Sequence, residues 1–155
     1  MCLLRMMAGK HLIKGDIEML GQVMQLAAPT ITMTYGSMLA LLFVALSFNV
    51  ALKRGSMKIS HGLGENNEMA GIVRAQENFA EYVPFALLLL AGLEMSGGDD
   101  TGLRVLGGGL VVARVLHALG LIVGPKLIIA RAIGATATLA ILAAEGVWGL
   151  VIVLS

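Results

Sequence analysis

A run of polar and ionisable side chains begins at Arg74, in front of a segment that continues as four consecutive leucines. If this segment is helical, Arg74, Asn78, Glu81 and Tyr82 lie within an arc of about 100° on one face. The set supplies a fixed cation, an amide, a carboxylate and a phenol. Arginine binds carboxylates through two parallel hydrogen bonds, and a glutamate can hold an ammonium group. The pattern is typical of a site for a small zwitterion with several carboxylates.

The same face has a purely structural interpretation. Arg74 would pair with Glu77, which borders the face, or with Glu81, and the pair would hold helices or subunits together. The spacing of these residues supports both interpretations equally, and both stay open at this point.

A second polar pair, Arg114 and His117, stands three residues apart in a later apolar segment. An arginine in the middle of a membrane helix needs a partner in the protein interior. Glu81 is the expected partner, which makes Arg114 structural rather than catalytic. We expect His117 to form a hydrogen bond in a pocket. No metal site is expected, because no second ligand stands at suitable spacing from His117 and the chain has one cysteine, Cys2.

The last apolar segment carries Arg131 near its start and Glu145 about 14 residues later, which is about 21 Å along a helix. The two side chains therefore cannot share one small-ligand site. A simple interpretation of Arg131 is a side chain that reaches out to the membrane surface. Glu145 is expected at an interface, either between subunits or between membrane and water.

The composition indicates an integral membrane protein. Hydrophobic residues make up 57% of the 155 residues and charged residues 14%, whereas soluble domains have roughly 25% charged residues. Residues 35–52 carry no charged side chain, which is close to the ~20 residues that cross a bilayer. The formal net charge of +1 gives no reason to expect a nucleic-acid partner.

The predicted fold is an all-α, integral membrane four-helix bundle, with helices at about 31–54, 68–95, 101–123 and 127–154. Glycine, asparagine, aspartate and proline mark the breaks between them, at residues 55–67, 96–100 and 124–126. Residues 1–30 are predicted to be an N-terminal extension that is loose or lies on the membrane surface. No inverted repeat of the kind that transporters use is visible.

Basic residues are concentrated in the first and third loops, whereas the second loop is acidic. Short cytoplasmic loops carry an excess of lysine and arginine. The sequence therefore predicts that loops 55–67 and 124–130 are cytoplasmic.

Three motifs resemble those of the MAPEG family, the membrane-associated proteins in eicosanoid and glutathione metabolism. Residues 74–84 match the pattern R-x-x-x-N-x-x-E-Y-x-P, and residues 113–120 are similar to G/A-R-x-x-H/Y-x-x-G. Arg131, Gly134 and Thr138 resemble the start of the family's fourth helix. The three matches occur in order within residues 31–155. They most resemble the motifs of small bacterial members of the family.

The resemblance implies a homotrimer of four-helix subunits in the bacterial inner membrane, surrounded by membrane lipids. Glutathione, as co-substrate, would bind between subunits near the cytoplasmic face. The residues implied to contact glutathione are Arg74, Asn78, Glu81, Tyr82, Arg114 and His117.

Arg131 would be the catalytic residue that stabilises the glutathione thiolate. The implied activity is that of a microsomal-type glutathione transferase or peroxidase, with a lipophilic electrophile or hydroperoxide arriving from the bilayer. The alternative is a non-catalytic protein of the same fold that binds lipid or thiol.

Overall fold

The computed structural model describes Met19, residues 28–64 and residues 66–155. Within this part the chain forms helices α1 (Thr30–Met57), α2 (Asn67–Met95), α3 (Asp100–Val123) and α4 (Ile128–Leu154), with a 3-10 turn at Gly124–Leu127. The all-α fold class is confirmed. The predicted N-terminal extension lies outside the described residues, apart from Met19 and residues 28–30.

Local side chains explain where two of the helices begin. The first turn of a helix has backbone N–H groups without partners inside the helix, and a preceding Asn or Asp satisfies one of them. Asn66 accepts a hydrogen bond from the N–H of Met69 at 3.0 Å and starts α2. Asp99 accepts one from the N–H of Gly102 at 2.8 Å and starts α3. Helix α1 ends where Lys58 takes a left-handed conformation with φ 55°.

Helices α3 and α4 form a tightly packed antiparallel hairpin. Gly120 of α3 lies against Arg131 of α4, and Gly134 of α4 lies against His117 of α3. A Cβ atom at either glycine would come within 2.6 Å of a backbone atom of the other helix, so only glycine permits this approach. The hairpin turns at Gly124, whose φ of 80° favours glycine.

Two clusters of buried apolar side chains join the four helices. The first contains Leu39 and Leu46 of α1, Phe79 and Val83 of α2, and Leu110 of α3. The second lies toward the α2–α3 loop and contains Ile31, Leu90, Leu93 and Leu103.

The outer surface is rich in large apolar side chains, such as Leu41, Val44 and Phe48 of α1. In the described part of the chain, three helical stretches are long and apolar enough to cross a membrane: Thr30–Met57, Asn67–Met95 and Asp100–Leu154. The third comprises α3, the 3-10 turn and α4. The exposed apolar surface is what lipid contact requires of these helices.

Candidate functional site

A cavity of about 360 Å³ lies where the start of α2 meets the α3–α4 hairpin. Arg74 of α2 and Arg131 of α4, which are 57 positions apart in the sequence, both line it. Asn67, Gly71, Gly120 and Pro125 are among its other lining residues. We call it the basic cavity. It brings together two of the arginines that the sequence predicted to be functional.

Glycines set the distance between the helices around the basic cavity. A Cβ atom at Gly71 of α2 would lie 2.6 Å from the backbone oxygen of Leu121 in α3, and one at Gly120 would lie 2.5 Å from the Cβ of Arg131. Larger residues at either position would push the helices apart. The relative positions of Arg74 and Arg131 therefore depend on Gly71 and Gly120, neither of which the sequence analysis identified as part of a site.

Arg74 is exposed and shared between two carboxylates of its own helix. Its Nη1 lies 3.4 Å from Glu77 Oε2 and 3.4 Å from Glu81 Oε1. About half of each of these three side chains is exposed. Both pairings suggested by the spacing are present, but such long and exposed ion pairs contribute little free energy. The guanidinium of Arg74 remains accessible to a ligand.

Arg114 is buried, with 1% of its surface exposed, and its Nη2 donates a hydrogen bond to Asn78 Oδ1 at 2.8 Å. The predicted pairing of Arg114 with Glu81 is therefore wrong. Glu81 is rotated by about 60° from Asn78 around α2, and its half-exposed carboxylate contacts Arg74 instead. A small cavity of about 50 Å³ lies beside this pair and is lined by Asn78, Tyr82 and Arg114.

His117 is buried behind Arg131. Its Nδ1 lies 3.0 Å from the backbone carbonyl oxygen of Arg131, which can only accept a hydrogen bond, so Nδ1 carries the proton in this contact. The contact links α3 to the first turn of α4 and orients the backbone from which the Arg131 side chain extends. His117 is thus placed to position Arg131.

The predicted site residues fall into two neighbouring groups. Arg74 and Arg131 line the basic cavity, and Glu81 reaches it through its contact with Arg74. Asn78, Tyr82 and Arg114 surround the smaller cavity, which Thr138 of α4 also lines. The same face of α2 therefore contributes residues to both cavities, and Arg74 and Asn78 are one helical turn apart on it.

Two glutamates have surroundings that the sequence did not predict. Glu94, at the end of α2, accepts hydrogen bonds at 2.7 Å from the backbone N–H groups of Ile31 and Thr32 in the first turn of α1. A sequence signal existed, because Pro29 cannot cap α1 with its side chain and a glutamate at a helix C-terminus is unfavourable without a partner.

Glu145 was expected at an interface but has no exposed surface within the single chain.

The family comparison agrees with the motifs on the three polar helices. The model of the MAPEG family matches residues 32–151. Two curated relatives, each called inner membrane protein YecN, come from Escherichia coli strain K12 and from Escherichia coli O6:H1 strain CFT073. Each is 30% identical over 86 residues, which are 56% of this chain and 66% of the relative. The aligned segment thus spans just under two thirds of each relative. Because the family model covers most of the chain, the protein belongs to the MAPEG family.

Proposed function

We propose that this protein is a membrane-bound glutathione-dependent transferase or peroxidase that acts on lipophilic electrophiles or hydroperoxides. The observation that carries the proposal is the presence of Arg74 and Arg131 on one cavity of about 360 Å³. Small-molecule sites commonly have volumes of roughly 300–1,000 Å³. Two guanidinium groups in such a cavity suit an anionic ligand.

Glutathione fits the charges of the basic cavity. It has two carboxylates, an ammonium group and a thiol. Arg74 would bind a carboxylate, because its ion pairs with Glu77 and Glu81 are long and exposed and are easily exchanged for a ligand. Glu81, released from Arg74, would then be available to the ammonium group.

Arg131 would stabilise the thiolate. Among the described residues its side chain has no ion pair or hydrogen bond, and its backbone is held by His117. A nearby guanidinium lowers the pKa of a thiol and increases the fraction of thiolate, which is the nucleophile. In a transferase reaction the sulfur forms a bond to the electrophilic carbon, the leaving group departs with its electron pair, and the thiol proton goes to solvent.

The assembly that we propose is a homotrimer in the bacterial inner membrane, with four crossings per subunit and with loops 55–67 and 124–130 in the cytoplasm. Charged side chains that face lipid are costly, yet Arg74, Glu77 and Glu81 are about half exposed on a helix of membrane-spanning length. A neighbouring subunit would cover them and complete the glutathione site. The antiparallel packing of α3 and α4 supports two membrane crossings by the helical stretch Asp100–Leu154.

A non-catalytic protein that binds lipid or thiol is the second candidate. The observation that favours it is the engagement of Arg74 by Glu77 and Glu81 within the subunit, which suits a polar contact that holds the assembly together. Under this alternative, Arg131 has no chemical role.

The decisive experiment measures the ultraviolet absorbance of the thiolate when glutathione is added to the purified, detergent-solubilised protein. We expect a thiolate band with wild type and with Arg104→Ala, and no band with Arg131→Ala. Arg104 is the matched control because it is an exposed arginine at the start of α3, at the end that is remote from the basic cavity. A glutathione analogue with serine in place of cysteine should bind without producing the band. Absence of the band in wild type would exclude the catalytic proposal.

Arg74→Ala separates the two candidates. If Arg74 binds a ligand carboxylate, its loss weakens glutathione affinity about tenfold or more, since a hydrogen bond to a charged group contributes about 1.5–3 kcal/mol, and the oligomer stays intact. If Arg74 only holds subunits together, the oligomer dissociates while Arg131→Ala changes nothing. Titration calorimetry and light scattering on the same preparations distinguish these results.

A further inference from the structure

Glu145 of α4 is a buried carboxyl group without a hydrogen-bond partner in the described part of the chain. It has no exposed surface, and neither of its oxygens has a hydrogen-bond partner among the described residues. Burial of a carboxylate in an apolar interior is costly unless a cation or a hydrogen-bond donor stands beside it. Ionisable residues in membrane segments are by default candidates for functional sites. The missing partner of Glu145 therefore points to a ligand.

Glu145 lies in the wall of a second cavity, of about 380 Å³, between α2 and α4. We call it the acidic cavity. Its lining is mostly apolar and includes Leu88, Leu93 and Leu150. Glycines leave it open, because a Cβ atom added at Gly146 would meet nothing within 4 Å. It has the size of a small-molecule site and an interior suited to an apolar ligand body.

The charges around the acidic cavity favour a cation. Ser96, at the α2–α3 turn, lines it, and Asp99 and Asp100 follow within four residues. Arg104 stands 3.8 Å from Asp100. Among the described residues, the lysines and Arg54 lie near the opposite ends of the helices. A cationic ligand would thus meet a cavity in whose lining Glu145 is the one ionisable side chain among the described residues.

We infer that the acidic cavity binds a lipophilic cation: an amphiphile with an ammonium or phosphonium head on an apolar body. The head lies beside Glu145 and the body packs against the leucines of α2 and α4. Glu145 has no exposed surface, so in this proposal its side chain turns from the cavity wall toward the ligand when the ligand binds. The site shares no lining residue with the basic cavity, so it does not depend on the proposed glutathione chemistry.

The test uses the full chain in nanodiscs of zwitterionic lipid, with tetraphenylphosphonium as the probe and empty nanodiscs as the reference for partition into lipid. Wild type should show one saturable site per subunit. Glu145→Gln keeps the size of the side chain and should weaken binding about tenfold or more, since a buried charge pair is lost. Asp100→Asn, which removes an exposed charge at the same end, should change affinity less than about twofold.

Two further measurements keep the inference open to refutation. Tetraphenylborate has the same shape and the opposite charge. Titrated by itself, because it precipitates with the phosphonium, it should show no saturable site beyond its partition into empty nanodiscs. Gly146→Leu fills the cavity while leaving Glu145 in place, and it should also abolish saturable binding without lowering the melting temperature. The inference is overturned if wild type has no saturable site, if Glu145→Gln binds as tightly as wild type, or if the borate by itself binds a saturable site as tightly as the phosphonium does.

Discussion

The two cavities are similar in volume, about 360 and 380 Å³, but opposite in chemistry. The basic cavity carries two arginines, and the acidic cavity carries one carboxyl group in an apolar wall. Helices α2 and α4 line both. Arg74 and Leu93, on the two cavities, are about 28 Å apart along α2. One pair of helices thus carries two arginines on a cavity at one end and a buried carboxyl group on a cavity at the other.

The packing of α4 also differs between the two ends. Gly134 lies in near backbone contact with Ala113 and His117, whereas Gly146 faces open space. The basic end is therefore positioned by close helix contacts, and the acidic end has room for side chains to move. Glycine serves opposite purposes in one helix: it permits contact at Gly134 and creates a void at Gly146.

The largest effect on stability is expected at the buried arginine beside the basic cavity. Arg114→Ala removes the hydrogen bond to Asn78 and leaves a space behind it, and we expect the free energy of unfolding to fall by about 3 kcal/mol. Denaturant titration in detergent measures it. Arg104→Ala, an exposed arginine on the same helix, should change the value by at most about 0.5 kcal/mol. If the two substitutions lower the free energy of unfolding equally, the basic end of the bundle is not more tightly packed than the acidic end.

Alanine at the two glycines of α4 tests the difference in packing. A Cβ atom at Gly134 would lie 2.5 Å from the carbonyl oxygen of Ala113, so Gly134→Ala should lower the free energy of unfolding by about 2 kcal/mol through overpacking. Gly146→Ala meets no atom and should raise it by about 0.5 kcal/mol, since alanine favours helix. If both substitutions change the free energy of unfolding in the same direction, the two ends of α4 are packed alike.

The fold class and the family were predictable because both depend on local signals. Hydrophobic stretches of membrane-spanning length and breaks rich in glycine and asparagine indicate the helices. The polar motifs, which begin at Arg74, Ala113 and Arg131, identify the family. None of these signals requires knowledge of how the helices are rotated against one another.

The partners of individual side chains were not predictable, because they depend on how the helices are rotated against one another. Asn78 and Glu81 lie on one arc of α2, and only the rotation of α2 against α3 decides that Asn78, and not Glu81, contacts Arg114. The contact of Glu94 with Ile31 joins residues 63 positions apart. The burial of Glu145 likewise arises from packing between helices.

A smaller effect on stability is expected at the acidic end, where Glu94 ties α2 to α1. Glu94→Ala removes the acceptor of two backbone N–H groups at 2.7 Å and should lower the free energy of unfolding by about 1–2 kcal/mol, as loss of a helix cap does. Glu68→Ala removes an exposed ion pair with Lys53 and should cost at most about 0.5 kcal/mol. Hydrogen exchange of the first turn of α1 should increase only in Glu94→Ala.

The smallest effect is expected when both proposed ligands are present. Glutathione at Arg131 and a lipophilic cation at Glu145 would be separated by about 21 Å along α4, where two unit charges interact by about 0.8 kcal/mol at an effective dielectric constant of about 20. Saturating glutathione should therefore change the affinity for tetraphenylphosphonium by less than about fivefold, and competition titration in nanodiscs measures this. Mutual displacement would mean that the two ligands share one cavity. A large increase in affinity would mean that the close packing of the α3–α4 hairpin transmits binding from one end to the other, in which case Gly134→Ala should abolish the coupling.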